Sequence, residues 1–264
     1  MNQHTSISQT NSPDHAYADT GKEILQSLEE ANHFTEWLFD EIKPYIKGLI
    51  LEIGSGLGTY SKKLIRDFPE SRLVLSEIDQ DYCQALQTQF RTVAVEIKSL
   101  DLEKPIHNAQ IDERFETIIS LNVMEHIEDD VAAFNHVYDA LAPGGAYVVL
   151  VPAHNFLFNS LDRSVGHFRR YNKQVMAEKI AQTPFILETS FYFNFLSTLG
   201  WFVNGHIFKK TTLNETALGL FDSLVPLIRF FEGLLLRKKL GISLIAILRK
   251  PFNSEGNAEM TSQE

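Results

Sequence analysis

Leu49-Ile50-Leu51-Glu52-Ile53-Gly54-Ser55-Gly56-Leu57-Gly58 reads as an apolar strand that runs into a glycine-rich turn, with a helix expected over Thr59 to Asp67. Gly54 and Gly56 permit a tight turn and let a ligand approach the backbone with no Cβ in the way. The following helix offers its unpaired N-terminal amides. A nucleotide-like ligand suits that combination. A phosphate-cradling loop of the P-loop kind needs Lys and then Ser or Thr after its last Gly, whereas Gly58 is followed by Thr59 and Tyr60. A dinucleotide turn wants Gly or Ala three residues after the second Gly, where Thr59 stands. Glu52, just ahead of the turn, would repel a pyrophosphate and favours a ligand carrying an ammonium or sulfonium group.

The run from Glu52 to Gly58 resembles motif I of the class I S-adenosylmethionine-dependent methyltransferases. That resemblance implies that Glu52 faces the methionine end of the cofactor and that Gly54, Ser55, Gly56 and Gly58 shape its cradle. Downstream, a second strand, Arg72 to Ser76, ends at Glu77-Ile78-Asp79, about twenty residues beyond the first Gly, where an open α/β sheet sets the acid that binds a ribose diol. The resemblance gives the ribose to Glu77, with Ile78 beside it and Asp79 as the second candidate. The competing reading is that both acids cap the helix Gln80 to Phe90. After a third strand, Val93 to Ile97, family members place an acid on the adenine amino group and an amide on a ring nitrogen. This implies Asp101 and Leu102, with Glu103 as competitor for the acid. A fourth strand, Phe115 to Leu121, ends in Asn122-Val123-Met124-Glu125-His126-Ile127, similar to the strand-four run of ubiquinone-type small-molecule methyltransferases, which lies under the cofactor. It assigns Asn122 to the cofactor and leaves His126 either touching the acceptor or ordering the loop. A helix from Asp129 to Leu141, a turn at Pro143-Gly144-Gly145 and a fifth strand, Ala146 to Val151, complete the pattern.

Composition agrees with an enzyme of this kind. At 264 residues and 44% hydrophobic the chain buries a full core and suits one domain with an elaboration. Its net charge of −10 argues against a nucleic-acid substrate, whose phosphates call for a basic surface. Cys83 is the single cysteine, expected to be buried in a helix, so the simple expectation is a reducing cytoplasm. No Cys and His cluster has zinc spacing, and no metal is expected. The polar N-terminus shows no signal peptide. Residues 1–13 and 253–264 are too polar to offset their ordering entropy and read as tails around a single domain over 14–252. Within it, Tyr17 to Lys47 reads as one or two leader helices with apolar residues at helical spacing.

The acceptor side is expected after strand five, beyond the carboxyl ends of the strands. Pro152 to Tyr171 is too long for a plain connector, and it carries Asp162, Arg163, His167, Arg169, Arg170 and Tyr171. It resembles the strand-five loop of bacterial methyltransferases that act on small molecules or glycan and lipid precursors. Arg169 and Arg170, with Tyr171, are candidates to clamp a carboxylate or phosphate of the substrate, and His167 is a candidate general base. The alternative is that the arginines pair with Asp162 and other acids to hold the loop shut.

Lys173 to Gln182 is expected as a helix and Phe185 to Phe193 as strand six. A helical insertion then fills 194–240, with Glu215 to Leu235 helical and bent at Pro226, before a closing strand, Ile242 to Leu248. The insertion reads as a lid over an apolar acceptor, as core or homodimer packing, or as a peripheral membrane contact with Arg229, Arg237, Lys238 and Lys239 near head groups. The expected fold is therefore α/β: a Rossmann-like, doubly wound, seven-stranded mixed sheet with a helical leader and a helical insertion before the last strand. The expected function is transfer of a methyl group from S-adenosylmethionine to a small-molecule or lipid-linked acceptor, with oxygen favoured. The alternative is a cofactor-binding regulatory or assembly protein without turnover.

Overall fold

The computed structural model describes residues 26, 29–202, 215–235 and 238–252. The expected tails at 1–13 and 253–264 fall outside these residues, as do the first part of the leader, residues 203–214 of the insertion, and Arg237. In chain order the elements are α1 (Asn32–Ile42), β1 (Ile50–Ile53), α2 (Thr59–Asp67), β2 (Leu73–Glu77), α3 (Gln80–Gln89), β3 (Val95–Ser99), β4 (Phe115–Leu121), α4 (Asp130–Ala140), β5 (Leu141–Pro152), α5 (Ser160–Ser164), α6 (Lys173–Ile180), β6 (Ile186–Phe193), α7 (Phe195–Phe202), α8 (Glu215–Leu235) and β7 (Ser243–Arg249).

The seven strands form one sheet in the order β3-β2-β1-β4-β5-β7-β6. The first five are parallel, and β7 runs antiparallel to both β5 and β6. All four β1 residues are buried, as expected for a central parallel strand covered on both faces. One apolar layer joins Leu51, Ile118, Phe134, Tyr147 and Met176, and the other joins Trp37, Ile50, Leu75, Leu150 and Ile247. The strand order reverses at β1 and β4, and a ligand site is expected outside their carboxyl ends.

Two expectations need correction. Strand β3 starts at Val95 rather than Val93, because Val93 N–H bonds back to Phe90 O at 2.8 Å and closes a turn after α3. The Pro143-Gly144-Gly145 run is not a separate turn before β5. Leu141 already pairs with Phe115, and the register then jumps so that Thr117 faces Ala146. The run is thus an excursion inside the strand, with Gly144 at φ +75°. Cys83 is buried in α3 as expected.

Helix α8 is two-faced. Phe221, Val225 and Ile228 turn inward onto the layer that contains Trp37 and Phe193, while Leu220, Leu224, Leu227, Phe231 and Leu234 stay exposed. Both sets follow helical spacing. The helix is tied to α1 by Arg229 with Asp40 at 2.7 Å and by Asp222, which accepts from the amides of His33 at 3.2 Å and Phe34 at 2.8 Å. The N-cap of α1, Ala31, has no side chain that can do this, so Asp222, 188 positions beyond Phe34, satisfies the orphan donors. Replacing Asp222 with Ala is expected to lower stability by about 1 kcal/mol, measured as a shift in the urea midpoint at unchanged slope.

Candidate active site

The glycine turn is fastened to the end of β2. The amides of Gly54 and Ser55 both donate to Ser76 O, at 2.9 and 3.0 Å, and Ser76 Oγ donates to Glu52 O at 2.9 Å. Gly56 N–H donates to Glu77 Oε2 at 2.9 Å, and Ile78 N–H to Glu77 Oε1 at 2.8 Å. Gly54 has φ +75°, and a Cβ there would lie 2.5 Å from Val123 Cγ2. The turn therefore depends on glycine both for its backbone conformation and for room beneath the β4 loop. Asp79 caps α3, accepting from Asp81 N–H at 2.7 Å and Tyr82 N–H at 3.4 Å. Of the two acids, only Glu77 is anchored to the turn itself.

A cavity of about 780 Å³ opens over the carboxyl ends of β1, β2 and β4. Its walls include Glu52, Gly54, Ser55, Gly56, Glu77, Ile78, Asp101, Leu102 and Asn122, so nine of the ten residues expected on the cofactor side line one space. The tenth, Gly58, stands behind it, at the start of α2 against Phe90. Asn122 takes a φ of +56°, and its N–H donates to Leu150 O at 2.9 Å. Asp101 accepts from Glu103 N–H at 3.0 Å and pairs with Lys104 at 2.8 Å. The Lys104 hydrogen bond holds its carboxyl below the usual range, against a smaller effect of burial. Glu52 is 4% exposed and accepts from Ser61 Oγ at 2.5 Å. Burial pushes its pKa up to about 7 despite that bond, which suits a position awaiting a cationic group.

At the other end the cavity reaches Glu125, His126, Val165, His167 and Arg170. His167 Nδ1 bonds Asp162 Oδ1 at 2.9 Å, and Arg170 Nε donates to the same oxygen at 2.8 Å. Asp162 Oδ2 accepts from Asn159 N–H at 3.0 Å, closing a capping box on α5. Burial raises the Asp162 pKa, but its contacts with His167 and Arg170 outweigh that and hold it below the ordinary value. The rings of His126 and His167 meet edge to face with centroids 4.7 Å apart. Burial, aided by the neighbouring His167, lowers the His126 pKa to about 4, so His126 is neutral and weakly basic near pH 7. Glu125 is wholly buried, with neither carboxylate oxygen hydrogen-bonded.

The clamp expected of Arg169, Arg170 and Tyr171 is corrected by their contacts. Arg169 donates to the carbonyls of Ile127 and Glu128, each at 2.7 Å, and pairs with Asp130 at 3.0 Å. Tyr171 is fully buried, and its hydroxyl donates to Asp130 Oδ2 at 2.7 Å. Neither borders the cavity. Arg170 does border it, but is 2% exposed and held by Asp162 and Ala153 O. The alternative given for these arginines, that they hold the loop shut, matches these contacts. Tyr60 and Tyr82 also line the cavity and were not expected there, while Glu125 was legible beside His126 in the strand-four run.

The strand order and the cavity over β1, β2 and β4 are those of the class I S-adenosylmethionine-dependent methyltransferase fold. A "Methyltransferase domain" family model matches residues 51–147, from β1 into β5. The chain is 25% identical over 130 residues to malonyl-[acyl-carrier protein] O-methyltransferase 1 of Ilyobacter polytropus, covering 49% of this chain and 44% of that one. It is 26% identical over 176 residues to a probable S-adenosylmethionine-dependent methyltransferase of Mycolicibacterium smegmatis, covering 64% and 65%. The matches thus span about half to two thirds of these curated relatives. In fold it resembles a solved methyltransferase of Thermotoga maritima, described as a possible histamine N-methyltransferase, with a TM-score of 0.59, 10% identity, and 90% and 100% coverage.

The raised pKa of Glu52 has a consequence for stability. A carboxyl near 7 when folded and near 4.5 when unfolded binds more protons in the native state. Its stabilising contribution is complete below about pH 4.5 and is lost as pH rises through about 7. Between pH 5 and 8, Glu52→Gln is therefore expected to gain on the wild type by up to about 3 kcal/mol, read from paired denaturation curves.

Proposed function

We propose that the chain transfers a methyl group from S-adenosylmethionine to a small-molecule or lipid-linked acceptor, with oxygen the favoured atom. The observation that carries this reading is the single cavity that joins the glycine turn, Glu77 and Asp101 at one end to Glu125, His126 and His167 at the other. In this reading Glu52 faces the methionine ammonium, Glu77 takes the ribose hydroxyls, and Asp101 with the Leu102 amide reads the adenine. Gly54, Ser55, Gly56, Ile78 and Asn122 supply backbone and walls.

The chemistry asks for position more than for side-chain reactivity. A lone pair on the acceptor oxygen attacks the sulfonium methyl carbon, and the sulfur–methyl bond breaks with its electrons going to sulfur. The neutral thioether S-adenosylhomocysteine leaves, and the acceptor proton is lost. Holding the two reactants in line and dry lowers the barrier. The proton goes toward the Glu125, His126 and His167 cluster, where His167 is oriented by Asp162 in the way a base is oriented by a carboxylate. His126, neutral and weakly basic, is better suited to shaping that wall than to taking the proton.

Support for oxygen comes from the named activity of the Ilyobacter relative and from the acid and base groups at the acceptor end. Support for a lipid-linked acceptor comes from the exposed apolar stripe of α8, Leu220 to Leu234. No helix among the described residues is long and apolar enough to cross a membrane, so the contact proposed is a peripheral one. A single domain over 14–252 is proposed, in which the described part of 194–240 does not act as a lid: none of it lines the cavity, and α8 packs against α1.

Calorimetry should show S-adenosylhomocysteine binding, weakened at least about tenfold by Gly56→Val, which forces a β-branched residue to φ +52°, and by Glu77→Ala. Turnover of methyl-labelled cofactor in a host extract should fall by about 100-fold or more in His167→Ala while that affinity holds. Tight binding of NAD in place of S-adenosylhomocysteine would refute the assignment, and cofactor binding with no labelled product would favour the regulatory alternative. Sedimentation with anionic liposomes tests the α8 surface. Partition is expected for the wild type at low salt and its loss in Leu227→Asp/Phe231→Asp, and a wild type that stays in the supernatant sinks the membrane contact.

A further inference from the structure

We infer that Glu125, His126 and His167 form a binding site for one divalent transition-metal cation at the acceptor end of the cavity. The three residues come from a single 3-10 turn after β4, Met124–His126, and from the strand-five loop. Each offers one donor atom, and the three donors lie within 4.8 Å of one another. His167 Nε2 is 3.8 Å from Glu125 Oε1. A cation about 2.0 to 2.2 Å from each donor holds them roughly 3 to 4 Å apart, so small side-chain movements close the site.

Several observations point to a ligand rather than to a structural cluster. Both Glu125 oxygens are buried without a hydrogen bond, a costly state for a carboxylate. The carboxylate borders the cavity, and a cation there would satisfy it. The His167 imidazole is steadied from behind, its Nδ1 held by Asp162 at 2.9 Å. A carboxylate behind an imidazole is the arrangement that fixes a ligating tautomer. Arg170, ion-paired with Asp162, and His167 are the positive groups that face Glu125, and neither hydrogen-bonds its carboxylate.

Two imidazoles and one carboxylate suit Mn²⁺, Fe²⁺, Co²⁺ or Zn²⁺ better than Ca²⁺ or Mg²⁺. Three protein donors leave positions open toward the cavity. The role of the cation rests on the methyl-transfer reading above: held by Glu125, His126 and His167, it would act as a Lewis acid that lowers the pKa of an acceptor hydroxyl or enol, so that the proton passes to bulk water and His167 serves as a ligand in place of a base. The reaction is redox-neutral, so the cation serves as a Lewis acid throughout. Sequence spacing hid the site, because His167 lies forty-one residues beyond His126 and only the fold of the strand-five loop brings them together.

The test is titration of the full chain with Co²⁺, with and without S-adenosylhomocysteine, followed by visible absorption and calorimetry. One equivalent of Co²⁺ is expected to bind. Glu125→Gln, His126→Ala and His167→Ala should each weaken it by about 10- to 100-fold while S-adenosylhomocysteine affinity changes less than about twofold. Glu125→Gln preserves shape, so its thermal transition distinguishes a lost ligand from a lost fold. Co²⁺ affinity unchanged in these variants, or S-adenosylhomocysteine binding with no Co²⁺ binding, would overturn the site. Co²⁺ binding that depends on the three residues in a chain that ignores S-adenosylhomocysteine would leave the site standing and remove the methyl-transfer reading instead.

Discussion

The carbonyl of Ser76 receives two amides, those of Gly54 and Ser55, and much else depends on that shared acceptor. It bends the chain sharply after β1 while keeping the turn fastened to β2. Glu77, the next residue, then meets Gly56 N–H, so the turn and the acid at the end of β2 become one rigid object. A side chain at Gly54 would strike Val123, which means that the β4 loop packs directly under the turn. The carboxyl ends of β1, β2 and β4 are thereby locked in mutual register, and the cavity is the space they leave.

A second knot, at Asp162, shapes the opposite wall. One buried carboxylate holds His167, Arg170 and the amide of Asn159, and a parallel bridge between Ala153 and Tyr171 closes the loop at its base. Asp130 does similar work beneath it, gathering Tyr171, Lys179 and Arg169. Removing one partner of such a buried group leaves the others charged and unpaired, which costs far more than a surface pair would. The arginines that stand out in the sequence of an acidic chain therefore serve to place a histidine, and the histidine faces the cavity.

Glu52 and Glu125 stand apart from these knots. Each is buried with fewer partners than its charge requires, and in each the folded state holds the proton more tightly than an ordinary carboxyl does. Groups kept in that condition destabilise the fold near neutral pH, a cost commonly found at functional sites. They lie at the two ends of one cavity, as expected if both ends receive positive charge.

The sequence by itself determined the strand–turn–helix from Leu49 to Asp67, the succession of strands along the chain and the residues at their carboxyl ends, because local backbone chemistry and periodicity act over a few residues; their order in the sheet was only what the family resemblance implied. Asp79 shows where such reasoning stops: its spacing suited either a ribose or a helix cap, and only the geometry of α3 made it a cap. The register excursion at Pro143 to Gly145 was likewise settled by strand pairing, since a glycine turn and a bulged strand share one composition. Tertiary structure alone decided that Arg169 and Tyr171 turn inward, that Asp222 caps α1 from a distant helix, and that Glu125, His126 and His167 meet. Those outcomes depend on which buried charges find partners across the fold, and spacing along the chain carries no record of that.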